Sequence, residues 1–248
     1  MQWLAIIAIG AGVGFLGGLF GKGGSAIATP LLAAVGVPPL VAVASPLPAT
    51  IPATLVAYRR YRSLGISDPA VIRTSVLVGI PATVAGAVAT RWLDGGVLVT
   101  VTEAMVTAIG IRLVLRPSPT EIVRDDVPHR RGRTVAVAAT VGLLAGLLAN
   151  AGGFLLVPLY LGVLRLPIKT ALACSLAVAS VLAVPGTLVH AALGHIDWSI
   201  TIVFALASIP LSSLGARTAL RMRSDHLERG YGAGLAVLGT VLLAGSLR

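Results

Sequence analysis

Apolar and polar positions alternate along this chain in long blocks. Ten apolar segments can be read, roughly Gln2–Phe20, Ser25–Val35, Leu40–Tyr58, Pro69–Arg91, Val97–Leu115, Thr134–Ala149, Phe154–Val163, Ile168–Ala191, Trp198–Leu220 and Glu228–Leu247. A helix that crosses a bilayer needs about 20 residues, and most of these segments approach that length. Ser25–Val35 and Phe154–Val163 are shorter, in the range of re-entrant or buried segments, and each directly follows a glycine-rich break. The only long polar connection, Arg116 to Arg133, carries Pro117, Pro119 and Pro128 among mixed charges. It reads as a linker, residues 116–133, between a first transmembrane repeat, 1–115, and a second, 134–248.

The second half echoes the first. Gly14 falls on Gly142, Gly18 on Gly146, Gly24 on Gly152 and Pro30 on Pro158, all at an offset of 128. Further on, Pro38 falls on Pro167, Ala44-Ser45 on Cys174-Ser175, Gly65 on Gly194, Asp68 on Asp197, Ile80-Pro81 on Ile209-Pro210 and Gly86-Ala87 on Gly215-Ala216, at offsets of 129 or 130. The chain is one unit, doubled.

Basic residues give the direction of each copy, because Lys and Arg in short loops stay cytoplasmic. Arg59, Arg60 and Arg62 follow segment three, while the matching loop, His190 to Asp197, has neither Lys nor Arg. Arg217, Arg221, Arg223 and Arg229 follow segment nine, while the matching stretch, Arg91 to Gly96, holds one. The bias flips between copies. That predicts inverted-topology repeats, a plan that places substrate near the midplane at the repeat interface. The parity holds whether segments one and two both cross or form a re-entrant hairpin; the linker is then cytoplasmic and both termini are outside.

Composition agrees with a membrane protein: 56% of the 248 residues are hydrophobic and 11% charged, with a mean hydropathy of +0.94. The formal charge of +10 does not point to nucleic acid, since the arginines cluster between apolar runs. The single cysteine, Cys174, excludes an internal disulfide, and its apolar surroundings favour packing over reactivity. The first segment lacks a basic leader and reads as a retained helix.

Candidate chemistry gathers at the two breaks. Segments two and seven start just after them, so their first N–H groups lack intrahelical partners and their dipoles turn positive ends toward the breaks. Two such ends facing each other make an anion site. The expected substrate-binding residues are Lys22, Gly23, Gly24 and Ser25 at the first break and Asn150, Ala151, Gly152 and Gly153 at the second. Glycine admits a ligand close to backbone, Ser25 and Asn150 add neutral donors, and Lys22 adds a full charge. The plainer alternatives are tight helix crossing for the glycines and snorkelling for Lys22. The run GKGG is not a nucleotide loop, because Gly23 stands where a Ser or Thr would hold magnesium.

Segments three and eight add a second polar set, Ser45, Thr50 and Thr54 against Ser175, Ser180 and Thr187, interspersed with prolines. Of these, Ser45, Thr50, Ser175 and Ser180 are candidates to face the substrate; the alternative is a bond to the carbonyl one turn back. Glu103, an acid deep in an apolar run, is the candidate for proton coupling. His190, His195 and Asp197 resemble a metal cluster only loosely, and neither a metal nor a cofactor is expected.

The run G-K-G-G-S-A-I-A-T-P, its echo N-A-G-G-F-L-L-V-P and the two-copy layout resemble the TauE/SafE sulfite-exporter family of membrane permeases. The resemblance covers nearly the whole chain and implies transport of sulfite, thiosulfate, an organosulfonate such as sulfoacetate, or a related small carboxylate. Lys22 stands where that family commonly has an apolar residue, and Ser25 and Asn150 where it has glycines. The reading is therefore an all-α, multi-pass transporter of the inner cell membrane with glycine-broken helices. Its expected partners are a small anion, the bilayer and at most a second copy in a homodimer. An intramembrane enzyme would need a nucleophile beside a base, whereas Cys174 and the two histidines fall in different parts of this topology. A non-transporting scaffold has no use for repeat-matched breaks.

Overall fold

The computed structural model describes residues 2–21, 25–89, 127–147, 152–227, 229–231 and 233–234. Their helices are α1 (Gln2–Phe20), α2 (Ser25–Ala34), α3 (Pro39–Ala44), α4 (Pro46–Arg62), α5 (Pro69–Ala89), α6 (Val127–Leu147), α7 (Gly153–Gly162), α8 (Ile168–Ala192) and α9 (Trp198–Arg221). Five stretches among the described residues are long and apolar enough to cross a membrane: α1, Leu40–Arg62, α5, α8 and α9. At 10 residues each, α2 and α7 extend only about 15 Å, too little to span. The apolar segments Val97–Leu115 and, beyond its first few residues, Glu228–Leu247 lie outside the described residues.

Local chemistry starts and stops these helices in matched places. Asp68 and Asp197 cap α5 and α9: Asp68 Oδ1 accepts from the N–H groups of Ala70 and Val71, and Asp197 Oδ1 from those of Ser199 and Ile200. Pro38 and Pro167 precede α3 and α8 with nearly identical extended backbones. The halves differ at Ser45. Its backbone is helical (φ −64°, ψ −29°), but Pro46 has no N–H for the carbonyl one turn back, so the segment expected to run unbroken from Leu40 to Tyr58 divides into α3 and α4. The related α8 is continuous. A second difference concerns the start of α6, which already includes Val127 to Arg133 from the stretch read as linker. There Arg130 bonds the Asp68 carboxylate and Thr134 Oγ1 donates to the Arg130 carbonyl at 2.8 Å, so a polar sequence is held in a helix by its partners.

Helices pair across the halves. Along α1, Gly10, Gly14 and Gly18 lie in turn on Phe204, Ser208 and Ser212 of α9, so the two helices run in the same direction. Along α6, Gly142 and Gly146 lie on Gly79 and Thr83 of α5 in the same way. A Cβ on Gly18 would collide with the Ser212 carbonyl, and one on Gly146 with that of Thr83; Gly215 and Gly86 close the reverse contacts, on the carbonyls of Phe15 and Leu143. Apart from Gly10 on Phe204, each of these contacts has its counterpart in the other pair at an offset of 128 or 129. Small residues admit such close backbone approach, which in lipid replaces the missing hydrophobic drive between helices. Gly14 and Gly18 therefore belong to a packed, continuous α1, and the break begins only at Gly21.

At the centre, α8 is buried on nearly every side from Ala171 to Ala179 and packs on α4, α5 and α7. A helix apolar all round is a core helix. The outward faces are apolar too, with Leu4 72%, Leu77 64% and Leu206 71% exposed. Such exposure suits a lipid environment. Charges collect at one end. Arg60 Nε donates to Ser213 Oγ (3.1 Å), Lys169 Nζ to the Leu220 carbonyl (2.9 Å), and Arg130 to Asp68, which ties α4 and α8 to α9 and α6 to the cap of α5. At the other end, where Asp197 N–H donates to Ser45 Oγ (3.0 Å), the residues from Gln2 to Ile6 and from His190 to Asp197 contain no Lys or Arg.

Candidate functional site

Two glycines in the left-handed region mark the breaks. Gly21 ends α1 with φ +65°, and Gly152 precedes α7 with φ +69°. Their surroundings are as restrictive as their backbones. A Cβ on Gly21 would stand 2.8 Å from Leu172 Cδ2 and 3.2 Å from Val157 Cγ2, so the first break is seated on α7 and α8 of the other half. On Gly152 it would stand 2.9 Å from Val141 Cγ1.

Ser175, on α8 and fully buried, connects the breaks. Its Oγ lies 2.9 Å from the Gly21 carbonyl and 3.1 Å from that of Gly153. One hydroxyl hydrogen serves both acceptors, so the two breaks share a single donor. The N–H groups of Leu155 and Leu156 close onto the Gly152 carbonyl at 3.0 and 3.1 Å, which leaves those of Gly153 and Phe154 without intrahelical partners. That end of α7 presents donors and a positive dipole to the break.

The other expected residues divide clearly. Gly152, Gly153 and Ser175 come together. Ser25 opens α2. Ser45 lies instead at the end poor in basic residues, where its Oγ accepts from Asp197 and its carbonyl accepts from Thr201 Oγ1 at 2.8 Å. Thr50 Oγ1 donates to the Pro46 carbonyl (3.0 Å) and Ser180 Oγ to that of Ala177 (2.7 Å), the local back-bonding that competes with any substrate role. Lys22, Gly23, Gly24, Asn150, Ala151 and Glu103 lie outside the described residues. Among the described residues no three His, Cys, Asp or Glu side chains group to hold a metal; His190 and His195 approach each other alone, Nδ1 to Nδ1 at 3.2 Å.

Hydrogen bonds also correct the register between the halves. Asp197 N–H donates to Ser45 Oγ at 3.0 Å, and Asp68 N–H to Cys174 Sγ at 3.4 Å. Since Asp68 matches Asp197, Ser45 matches Cys174 and not Ser175, one position from the pairing read in sequence. Ser175 then stands opposite Pro46, which has no hydroxyl, so the tie between the breaks belongs to the second half alone. Two further residues escaped the sequence reading. Ser208 and Ser212 lie one turn apart on α9 against Gly14 and Gly18, and Ser212 Oγ donates to the Ala53 carbonyl of α4 at 2.9 Å. The signal was the glycine spacing on α1, which requires small partners. The buried bond from Tyr160 to Ser75 Oγ (2.8 Å), between α7 and α5, also went unread; its counterparts in the other half are Leu32 and Phe204, both in one apolar cluster.

The chain is similar to proteins named as membrane transporters. The family model described as "Sulfite exporter TauE/SafE" matches residues 6–242. A Xylella fastidiosa protein named "Probable membrane transporter protein" is 31% identical over 233 residues, 90% of this chain and 88% of its own length. One of the same description from Methanocaldococcus jannaschii is 23% identical over 254 residues, 96% of this chain and 94% of its own. No solved structure matches the chain.

Proposed function

The chain belongs to the sulfite exporter TauE/SafE family of membrane transporters, and on that premise we propose that it carries small anions through a site between its two glycine breaks. The substrate class in this reading is sulfite, thiosulfate, an organosulfonate such as sulfoacetate, or a related carboxylate. The single observation that carries it is Ser175, whose hydroxyl reaches the carbonyls of Gly21 and Gly153 together. Breaks from opposite halves thereby meet at one point, with the donor end of α7 beside it. A helix N-terminus favours an anion through its free N–H groups and its dipole, and Lys22 supplies the matching full charge.

In this reading the halves have inverted topology, and the basic end faces the cytoplasm. The parallel pairing of α1 with α9 and of α5 with α6 supports it, because α1 starts beside Asp197 at the end poor in basic residues and α6 starts at the basic end, so each copy's first helix runs opposite to the other's. Both termini are outside and the protein sits in the inner membrane. The test is a thermal-shift screen of the purified chain with sulfite, thiosulfate, sulfoacetate, taurine, sulfate and short carboxylates, followed by flux in proteoliposomes with the best ligand. A ligand of the folded state raises the midpoint with concentration. No shift and no flux for any of these anions overturns the reading.

A further inference from the structure

The caps that start α5 and α9 agree in one oxygen and differ in the other. Oδ1 of each takes two N–H groups of the first turn, those of Ala70 and Val71 at Asp68 and those of Ser199 and Ile200 at Asp197. Oδ2 of Asp68 takes in addition the guanidinium of Arg130, from the start of α6. At the offset of 128 that matches Gly14 with Gly142, the residue standing where Arg130 does is Gln2, at the start of α1. Glutamine carries no charge. Among the described residues no Lys, Arg or His pairs with Asp197, and its Oδ2 accepts no hydrogen bond.

Beside Asp197 the molecule holds a pocket of about 200 Å³ between α1, the connection from α2 to α3, and α9. Gln2, Trp3, Ile6, Val37, Asp197 and Ile200 line it. A single water occupies about 10–15 Å³ of such a space, so this pocket admits a small organic molecule. Its lining has two parts. Asp197 brings a negative charge and Gln2 an amide, while Ile6, Val37 and Ile200 bring hydrocarbon and Trp3 an aromatic ring.

An anion is repelled by that carboxylate, and a bare metal ion finds only one carboxylate among walls that are largely apolar. A cation built on carbon suits both parts: its N–H groups make charge-assisted bonds to the carboxylate, its apolar body covers the hydrocarbon, and an indole attracts positive charge. The residues from Gln2 to Ile6 and from His190 to Asp197 include no Lys or Arg to compete for the place.

We propose that this pocket binds a small organic cation from the aqueous phase, a guanidinium or primary ammonium group on a short apolar body, seated on Asp197 as Arg130 is seated on Asp68. Binding there does not rest on the anion reading, because α1, 19 residues long, separates Gln2 from the break at Gly21 by about 28 Å.

The experiment titrates ethylguanidinium chloride or propylammonium chloride, at low millimolar concentration, into the purified full chain without added anion substrate and follows the unfolding midpoint. Tetramethylammonium chloride, which has the charge but no N–H, is the control at equal ionic strength. The midpoint is expected to rise saturably with ethylguanidinium or propylammonium and not with tetramethylammonium. Asp197→Asn removes the charge and keeps a helix cap, since Asn and Asp cap about equally well. Gln2→Arg installs the guanidinium of the other half. Each is expected to raise the half-saturating concentration of the effective probe by about tenfold or more. Should Gln2→Arg not fold, Asp197→Asn decides. A wild-type chain indifferent to both N–H probes overturns the proposal, as does an Asp197→Asn variant that responds like wild type. Tetramethylammonium acting as well as the N–H probes overturns it too, leaving a general salt effect. Stabilisation by phosphatidylethanolamine over phosphatidylcholine in mixed micelles, with no response to the soluble probes, would give the pocket to a lipid headgroup and overturn it as well.

Discussion

The Ser175 hydroxyl lies 2.9 Å from the Gly21 carbonyl, a bond between residues 154 positions apart that fastens the end of α1 to the core helix of the other half. The same oxygen is 3.1 Å from the Gly153 carbonyl, so removing it loosens both breaks at once. Ser175→Ala is expected to cost about 0.6 to 1.5 kcal/mol, the range of a hydrogen bond between membrane helices. It should also weaken binding of the best anion, since the donor end of α7 loses its anchor. Unfolding in detergent and ligand titration measure the two effects. If both are unchanged, Ser175 has no part in holding the site.

Close packing makes a sharper prediction. A Cβ on Gly18 or Gly146 would meet a facing backbone carbonyl, and backbone cannot step aside as a side chain can. Gly18→Leu and Gly146→Leu are expected to cost more than the about 1–3 kcal/mol of ordinary overpacking and to abolish a monodisperse peak in size-exclusion chromatography. Gly12 is the control, because nothing lies within 4 Å of its Cβ position. Gly12→Leu should leave the peak intact. A normal Gly18→Leu protein would mean that α1 and α9 do not pack as described.

Much of this fold was legible because membrane helices announce themselves by length, and because glycines and prolines repeat at near-constant offsets. The hydroxyl register was not. Ala-Ser and Cys-Ser look alike in sequence, yet the residue that takes the N–H of Asp68 is Cys174 and the one that takes that of Asp197 is Ser45. Only the partners distinguish them. Ser208 and Ser212 were missed for a similar reason: on an apolar helix a serine that bonds its own carbonyls has the same spelling as one that reaches across to α4. Arg130 and its neighbours looked like linker by charge, whereas Asp68, the cap of α5, recruits them into α6.

The orientation can be tested with the same cysteine that reveals the register. Cys174 must be replaced before labelling, and Cys174→Ser is the natural choice, since Ser45 already performs that role with a hydroxyl at 3.0 Å. The variant should keep fold and transport. On that background, a cysteine at Arg62 is expected to resist a membrane-impermeant maleimide in intact cells and to react after permeabilisation. A cysteine at His195 should react in both. The reverse pattern would turn the molecule over in the bilayer.

The last prediction concerns Lys22, whose value depends on whether its charge meets the substrate or only the headgroups. A cation within a turn of a helix N-terminus adds to a positive dipole, an arrangement that is unfavourable until a negative charge arrives. If the anion binds there, a charge-assisted contact worth about 1.5 to 3 kcal/mol disappears in Lys22→Met, and affinity falls by roughly one to two orders of magnitude. The substrate-free protein should be as heat-stable as before, or more so, because a repulsive pair has been relieved. Lys22→Arg should be intermediate, since its planar fork keeps the charge but needs different space. A snorkelling lysine gives another pattern, with Met nearly neutral for affinity and Arg silent. Isothermal titration of the three variants with the best anion from the screen separates the two, and unchanged affinity in Lys22→Met would assign the anion to backbone N–H groups alone.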